Sequence, residues 1–218
     1  MPGRCNTHKK QEFPAVRYAN SYRDDFCDQR LSGWRMNHPE HWETGEADGR
    51  CILRLTARGE DGPIRKPTSA AILQPITVTS FELTVDARSV SGEKKWGSML
   101  IYFGYQDPLR FYYAHFGQIC DDNHNIIGLV NNADRVNINK TVAHSDAARL
   151  TPFEWHALKV TYCAETGRIE SFIDDMKNPI HSLVDATFRH GKVGIGSFYD
   201  FGDFRNFHLK YDLYEREA

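Results

Sequence analysis

Residues 155–180, WHALKVTYCAETGRIESFIDDMKNPI, decide the fold. Two short runs, HALKVTYC (156–163) and RIESFID (168–174), are rich in Val, Ile, Phe, Tyr and Thr. Both alternate with the period of two that a pleated strand imposes on its side chains. AETG separates them, and DDMKNP closes the second; Gly, Pro, Asn and Asp supply the backbone conformations that turns need. His156, Leu158 and Val160 then share one strand face. A packed or hydrogen-bonded structural role is expected for His156.

The same pattern extends in both directions. CILRLTA (51–57), SFELTVDAR (80–88), SMLIYFGY (98–105), RFYYAHF (110–116) and NIIGLVN (125–131) precede it, and KVGIGSF (192–198) and FRNFHLKY (204–211) follow. EDGP, SGEKKWG, YQDP, DDNH, RHGK and DFGD punctuate them. Helix is confined to a turn near HSDAARL (144–150). Many short strands at regular spacing imply a sandwich or barrel, and LIYFGY, apolar on both faces, suits a central strand between packed layers. Inward positions are assigned to Phe81, Leu83, Leu100, Tyr112, Phe116, Trp155, Leu158, Val160, Phe172 and Val193, with Trp34 and Trp42 as core anchors. The expected organisation is an extended lead-in over 1–20 and one domain over 21–218.

Composition excludes several classes. Net charge is −2, with Lys and Arg scattered, so no basic field for nucleic acid exists. No stretch approaches the ~18 apolar residues of a membrane span. The first residues, MPGRCNTHKKQEFP, lack the apolar centre of a signal peptide, and five cysteines without CxxC spacing read as free thiols, with one or two disulfides as the alternative. A cytoplasmic setting follows, or a secreted or periplasmic one if a leader has been removed. NKT (139–141) matches a glycosylation sequon. HPEHWE (38–43) lacks partners at zinc-like spacing and is not read as a zinc site. Nothing in the sequence speaks to oligomeric state.

The chemistry concentrates in YYAHFGQICDDNHNIIGLVNNADR, 112–135. In FYYAHF, Tyr112, Ala114 and Phe116 share one face and read as core; Phe111, Tyr113 and His115 share the other, which turns Tyr113 and His115 toward solvent or the concave groove. If this strand pairs with the next through GQICDDN, His115 and His124 lie near the two ends of that loop. Tyr105, Tyr113, His115, Asn125, Asn132 and Arg135 are the candidate ligand-binding residues, because aromatic rings stack on sugars while Asn and Arg pair with hydroxyls or carboxylates. His115 or His124 as base with Tyr113 as acid is the candidate catalytic set. A solvated hairpin accounts for the same residues.

The 155–180 stretch also resembles the W-H-x-(apolar)-x-V … G-x-(I/V)-x-(F/Y)-(I/V)-D-(D/G) signature of concanavalin A-like sandwiches, laminin-G and pentraxin types especially. YRDDFCDQRLSGW (22–34) with HWE resembles the opening of bacterial relatives, and GKVGIGSFYDFGDFRNFHLK (191–210) resembles their ending. The resemblance implies a two-sheet antiparallel jelly roll whose concave sheet binds a carbohydrate. Laminin-G-like domains and the 3-keto-disaccharide hydrolase group are the nearest suggested kin. It leaves three readings: a sugar-binding module, a lyase or 3-keto-glycoside hydrolase, and a laminin-G-like protein-interaction module. The E-x-D-x-x-E of the fold's retaining glucanases is missing, since EADG (46–49) fails and Glu82 stands alone. The R-x-E-x-R and Q-x-H of its alginate lyases are missing too. The resemblance further implies a structural Ca2+ joining the first and last strands, with Asp24 or Asp25, Asp200 and Asp203 as its carboxylates.

Overall fold

The computed structural model describes residues 17–28, 31–91, 96–139 and 149–215. Two antiparallel sheets pack face to face, as the strand pattern implies. The first has the order β13 (His181–Val184), β12 (Arg168–Ile173), β11 (His156–Cys163), β6 (Val78–Ser89), β15 (Gly202–Leu213), β4 (Arg50–Leu55) and β3 (Trp42–Ala47). An eighth strand, β1 (Asn20–Asp24), pairs with the second half of β15. The second sheet has the order β10 (Val136–Asn137), β9 (Ile127–Asn131), β8 (Arg110–Phe116), β7 (Met99–Asp107), β14 (Lys192–Ser197), β5 (Ser69–Leu73) and β2 (Trp34–Met36). The helical structure among the described residues is one 3-10 turn, Pro39–His41. Most of the HSDAARL segment lies outside the described residues.

The deciding hairpin forms as its pattern requires. Leu158 pairs with Ile173 and Tyr162 with Ile169, and Gly167 takes the left-handed φ of 74° that the turn demands. Leu158, Val160, Tyr162, Ile169 and Ile173 enter the layer between the sheets. There they meet Met99, Ile101, Phe103, Tyr112, Ala114 and Phe116 from the second sheet. His156 is buried, with Nδ1 2.8 Å from Asp174 Oδ2 and Nε2 accepting the Thr151 N–H at 2.9 Å. It is structural. Trp34 and Trp42 are core anchors.

Three inward assignments are corrected. Leu100 is buried, but on the face of β7 turned away from the core, with Tyr102. LIYFGY is apolar on both faces, so alternation alone could not orient it. Phe172 sits on the outer face of β12, where the Lys159 ammonium lies 3.8 Å from its ring centroid. Trp155 precedes β11, half-buried, with the Arg205 and Arg88 guanidinium groups over its ring.

The cysteine expectation also changes. Cys27 and Cys51 form a disulfide that ties the segment after β1 to β4; Cys120 and Cys163 form no disulfide with the described residues. Cys5 lies outside the described residues. The expected cation set is not gathered. Both Asp203 oxygens are bonded by arginines, Oδ1 to Arg54 Nε at 2.7 Å and Oδ2 to Arg88 Nη2 at 2.6 Å. Asp24 accepts from the Trp34 indole at 2.8 Å, Asp25 is exposed and accepts the Cys27 N–H, and Asp200 lies beneath the other sheet's outer face. First and last strands are joined instead by the ladder from Asn20–Tyr211 to Asp24–Phe207. Asn139 of the sequon is buried and accepts the Ile127 N–H at 2.6 Å, which disfavours it as a glycan acceptor.

Candidate functional site

The outer face of the second sheet carries a second apolar layer. Ile72, Leu100, Tyr102, Phe111, Tyr113, Val130 and Phe198 pack there, away from the inter-sheet core. On top of this layer, at the end where β8 runs into the GQICDDN loop, lies a pocket of about 140 Å³. Its walls come from Arg65, Trp96, Ser98, His115, Asn123, His124, Arg135, Phe198, Tyr199 and Asp200.

His115 ends the Phe111–Tyr113–His115 face of β8, as period two predicts, yet it is 3 % exposed. Burial, then the neighbouring His124 and Arg135, push its pKa down to about 3. The ring is therefore neutral. Nδ1 lies 3.1 Å from the Asn123 carbonyl, which can only accept, so Nδ1 carries the proton. Nε2, 2.8 Å from Ser98 Oγ, is left to accept from that hydroxyl. Both nitrogens are committed, and His115 is a wall of the site rather than its base.

His124 is placed differently. The loop brings its ring 5.3 Å from His115, between that ring and Trp96. The Trp96 and His124 rings are parallel within 6° at 6.3 Å. His124 Nδ1 donates to Asp121 Oδ1 at 2.8 Å, leaving Nε2 without a protein partner among the described residues. Trp96 is 44 % exposed, a large flat ring held open to solvent.

Arg135 supplies the positive side. Its guanidinium lies over Phe198 at 5.0 Å, and Nη2 donates to Asn123 Oδ1 at 3.2 Å. Nη1 reaches the Tyr113 hydroxyl at 3.5 Å, while Nε is buried without a partner among the described residues. The Arg135 N–H donates to the Arg65 carbonyl and the Arg65 N–H to Asp134, so the 58–68 loop is laid against the 132–135 turn. Opposite stands Asp200, 1 % exposed: Oδ2 accepts the Ser98 N–H at 2.8 Å, while Oδ1 is buried with no partner among the described residues. An unsatisfied buried carboxylate oxygen is costly, and a hydroxyl brought to it would offset that cost.

The other expected residues are dispersed. Tyr113 is fully buried with its ring flat over Gly128, where any Cβ would clash. Burial pushes its hydroxyl up to about 12, so it keeps its proton at neutral pH, and it lies beneath the pocket rather than open to it. Tyr105 stacks on Phe111 at 5.6 Å and lines a neighbouring pocket. Asn125 is buried in the left-handed region (φ 51°), and its amide bonds both backbone groups of Gly117; it shapes the loop. Asn132 is an exposed turn residue with φ 56°. Sequence reasoning missed Trp96, Arg65, Ser98, Asn123, Phe198 and Tyr199, and it assigned Asp200 elsewhere. One signal was available for Trp96, a tryptophan in the polar turn SGEKKWG. Elsewhere, His38, Glu40 and His41 bring three potential metal-binding atoms within 4.8 Å of one another, with no fourth such residue among the described residues.

No family model and no curated protein sequence matches the chain. Solved structures do match its fold. The chain is similar to the carbohydrate binding module CBM66 from Bacillus subtilis, with 14 % identity and TM-score 0.57 over 82 % of this chain and 95 % of that one. It is similar to the winged bean acidic lectin complexed with methyl-α-D-galactose, with 12 % identity and TM-score 0.56 over 90 % and 99 %. It also resembles part of the GH43 protein BlXynB from Bacillus licheniformis, with 14 % identity and TM-score 0.58 over 88 % of this chain and 39 % of that one.

Proposed function

From a chain with the concanavalin A-like, lectin-type jelly-roll fold, we propose a carbohydrate-binding protein whose site is the Trp96–His124–Arg135–Asp200 pocket on the second sheet. The observation that carries the reading is one pocket lined by an exposed Trp96 ring and by Asp200, whose buried Oδ1 has no partner among the described residues. A sugar presents those two chemistries together, an apolar C–H face for stacking and hydroxyls that donate and accept. A hydroxyl that donates to Asp200 Oδ1 and accepts from an Arg135 N–H satisfies both groups. Similar structures that are a carbohydrate binding module and a sugar-complexed lectin support the reading at the level of fold.

A second reading has one observation in its favour. The Asp121–His124 pair orients at the pocket an imidazole whose Nε2 has no partner among the described residues, an arrangement suited to general-base catalysis. One experiment addresses both readings: a glycan array probed with wild type and Trp96→Ala, with hits assayed for reducing ends and ultraviolet-absorbing products. Binding that Trp96→Ala removes, without product, is the expected result. Product formation lost in His124→Ala supports the enzyme, and hits indifferent to Trp96 contradict the site. The Cys27–Cys51 disulfide supports an oxidising compartment over the cytoplasm.

A further inference from the structure

A second cavity opens on the same outer face of the second sheet. It encloses about 360 Å³ over Ile72, Tyr102, Tyr105 and Phe111, the apolar layer that also floors the first pocket. The two are connected along β8: Phe111 lines one and His115 the other, four residues apart on one strand face, a span of about 13 Å at the rise of an extended chain. They are also connected through adjacent residues of one loop, with Arg65 in the first pocket and Lys66 in the second.

The charge along this face is unlike that of the whole chain. Net charge is −2, yet the second cavity is lined by Arg35, Lys66 and Lys192 against a single carboxylate, Asp107. That carboxylate is already paired with Arg110 at 2.7 Å. Neither Arg35 nor Lys66 has a carboxylate within 4 Å among the described residues, and the Arg65 side chain in the first pocket has none either. Burial holds the Lys66 and Lys192 ammonium groups below the usual lysine range, with no counter-charge offsetting it. Lys192 is satisfied by the Gln74 carbonyl, whereas Lys66 makes no hydrogen bond to the described residues. A cation held in a partly desolvated cleft without a counter-charge is costly, and an anion occupying the cleft relieves that cost.

We propose that the ligand of this face is an acidic oligosaccharide: one sugar stacks on Trp96 in the first pocket while a carboxylate or sulfate on a neighbouring sugar sits among Arg35, Lys66 and Lys192. The inference rests on the carbohydrate reading and adds the ligand's charge and minimum length. A single neutral sugar fills the first pocket and leaves the cationic cavity without its partner. An oligosaccharide spanning both gains the anion contact, which salt screens.

The test is a titration of wild type with oligogalacturonate, its fully methyl-esterified form, a heparin-derived sulfated oligosaccharide and a neutral cello-oligosaccharide, at low and at physiological salt. The account expects one of the two charged probes to bind at least tenfold more tightly than its uncharged counterpart. That preference should shrink with salt and fall severalfold in Arg35→Gln/Lys66→Gln. Which charged probe wins distinguishes carboxylate from sulfate. Equal affinity for charged and neutral sugars, or a preference unchanged in the double variant, overturns the inference. Neutral glycans bound through Trp96 with no affinity for either charged probe would overturn it while leaving the carbohydrate reading intact. Failure of every glycan on the array overturns both.

Discussion

At the scale of single residues, His115 joins site and stability. Its ring is neutral because it is buried beside Arg135 and His124, with a pKa near 3 in the folded chain. His181, buried against Ser171, is pushed down to about 4 by the same desolvation. In the unfolded chain both return to about 6.5. Between roughly pH 4 and 6.5 the unfolded state therefore binds both protons and the folded state neither. Stability is fully present above pH 6.5 and falls on acidification, by about 1.4 kcal/mol per pH unit for each histidine. His115→Gln should remove about one proton's share of that slope in denaturant melts between pH 4.5 and 6.5, with His181→Gln as the matching control. Identical slopes in wild type and His115→Gln would show that the ring is charged in the fold. The sequence placed His115 on the right strand face and near His124, because period two and a short loop fix both. It did not reveal the ring's burial, since Ser98 and Phe198, which help to cover it, come from distant segments.

At the scale of strands, legibility followed the clarity of alternation. Strand β11, with one apolar and one polar face, was read to its correct faces, whereas on β12 the one inward assignment, Phe172, was reversed, because a lysine stem on the neighbouring strand covers an outward ring. Strands β1, β2, β3, β5, β10 and β13 went unassigned: WRM and VN are two or three residues long, and NSYRD and WETGEA are mostly polar. Their pairing is set by longer neighbours rather than by their own pattern. The aspartates of β15 and its approach were legible as important and misassigned in role. A buried carboxylate needs a counter-charge, and Asp203 finds two guanidinium groups, one from β4 and one from β6. Removing one partner of such a buried group leaves uncompensated charge, so Asp203→Ala should destabilise the chain by about 3–5 kcal/mol in urea unfolding. The two arginines are then left facing each other. A loss below about 1 kcal/mol would mean that the arginines are adequately served by solvent and by Asp48 and Glu43.

At the scale of the whole molecule, an all-β sandwich or barrel was legible from strand and turn spacing and the resemblance narrowed it to the sandwich, while the disulfide and the site were not legible. Cys27 and Cys51 meet because β1 and β4 both pair with β15, a consequence of topology that spacing cannot express. The bridge closes 24 residues of sequence separation and contributes about 3 kcal/mol in the chain-entropy picture. Under denaturing but non-reducing conditions Cys120 and Cys163 should alkylate, and Cys27 and Cys51 should do so only after reduction. The pocket is likewise assembled from segments far apart in the chain: the 58–68 loop, the Trp96 turn, the loop after β8 and the residues following β14. Its central claim is that Trp96 and Asp200 together hold a sugar. The most direct test is a crystal structure of the chain with its best array glycan, predicted to show a sugar ring lying parallel to the Trp96 indole with a hydroxyl on Asp200 Oδ1. A glycan ordered instead on the outer face of the first sheet, among Tyr18, Lys159 and Glu170, with Trp96 and Asp200 untouched, would contradict it.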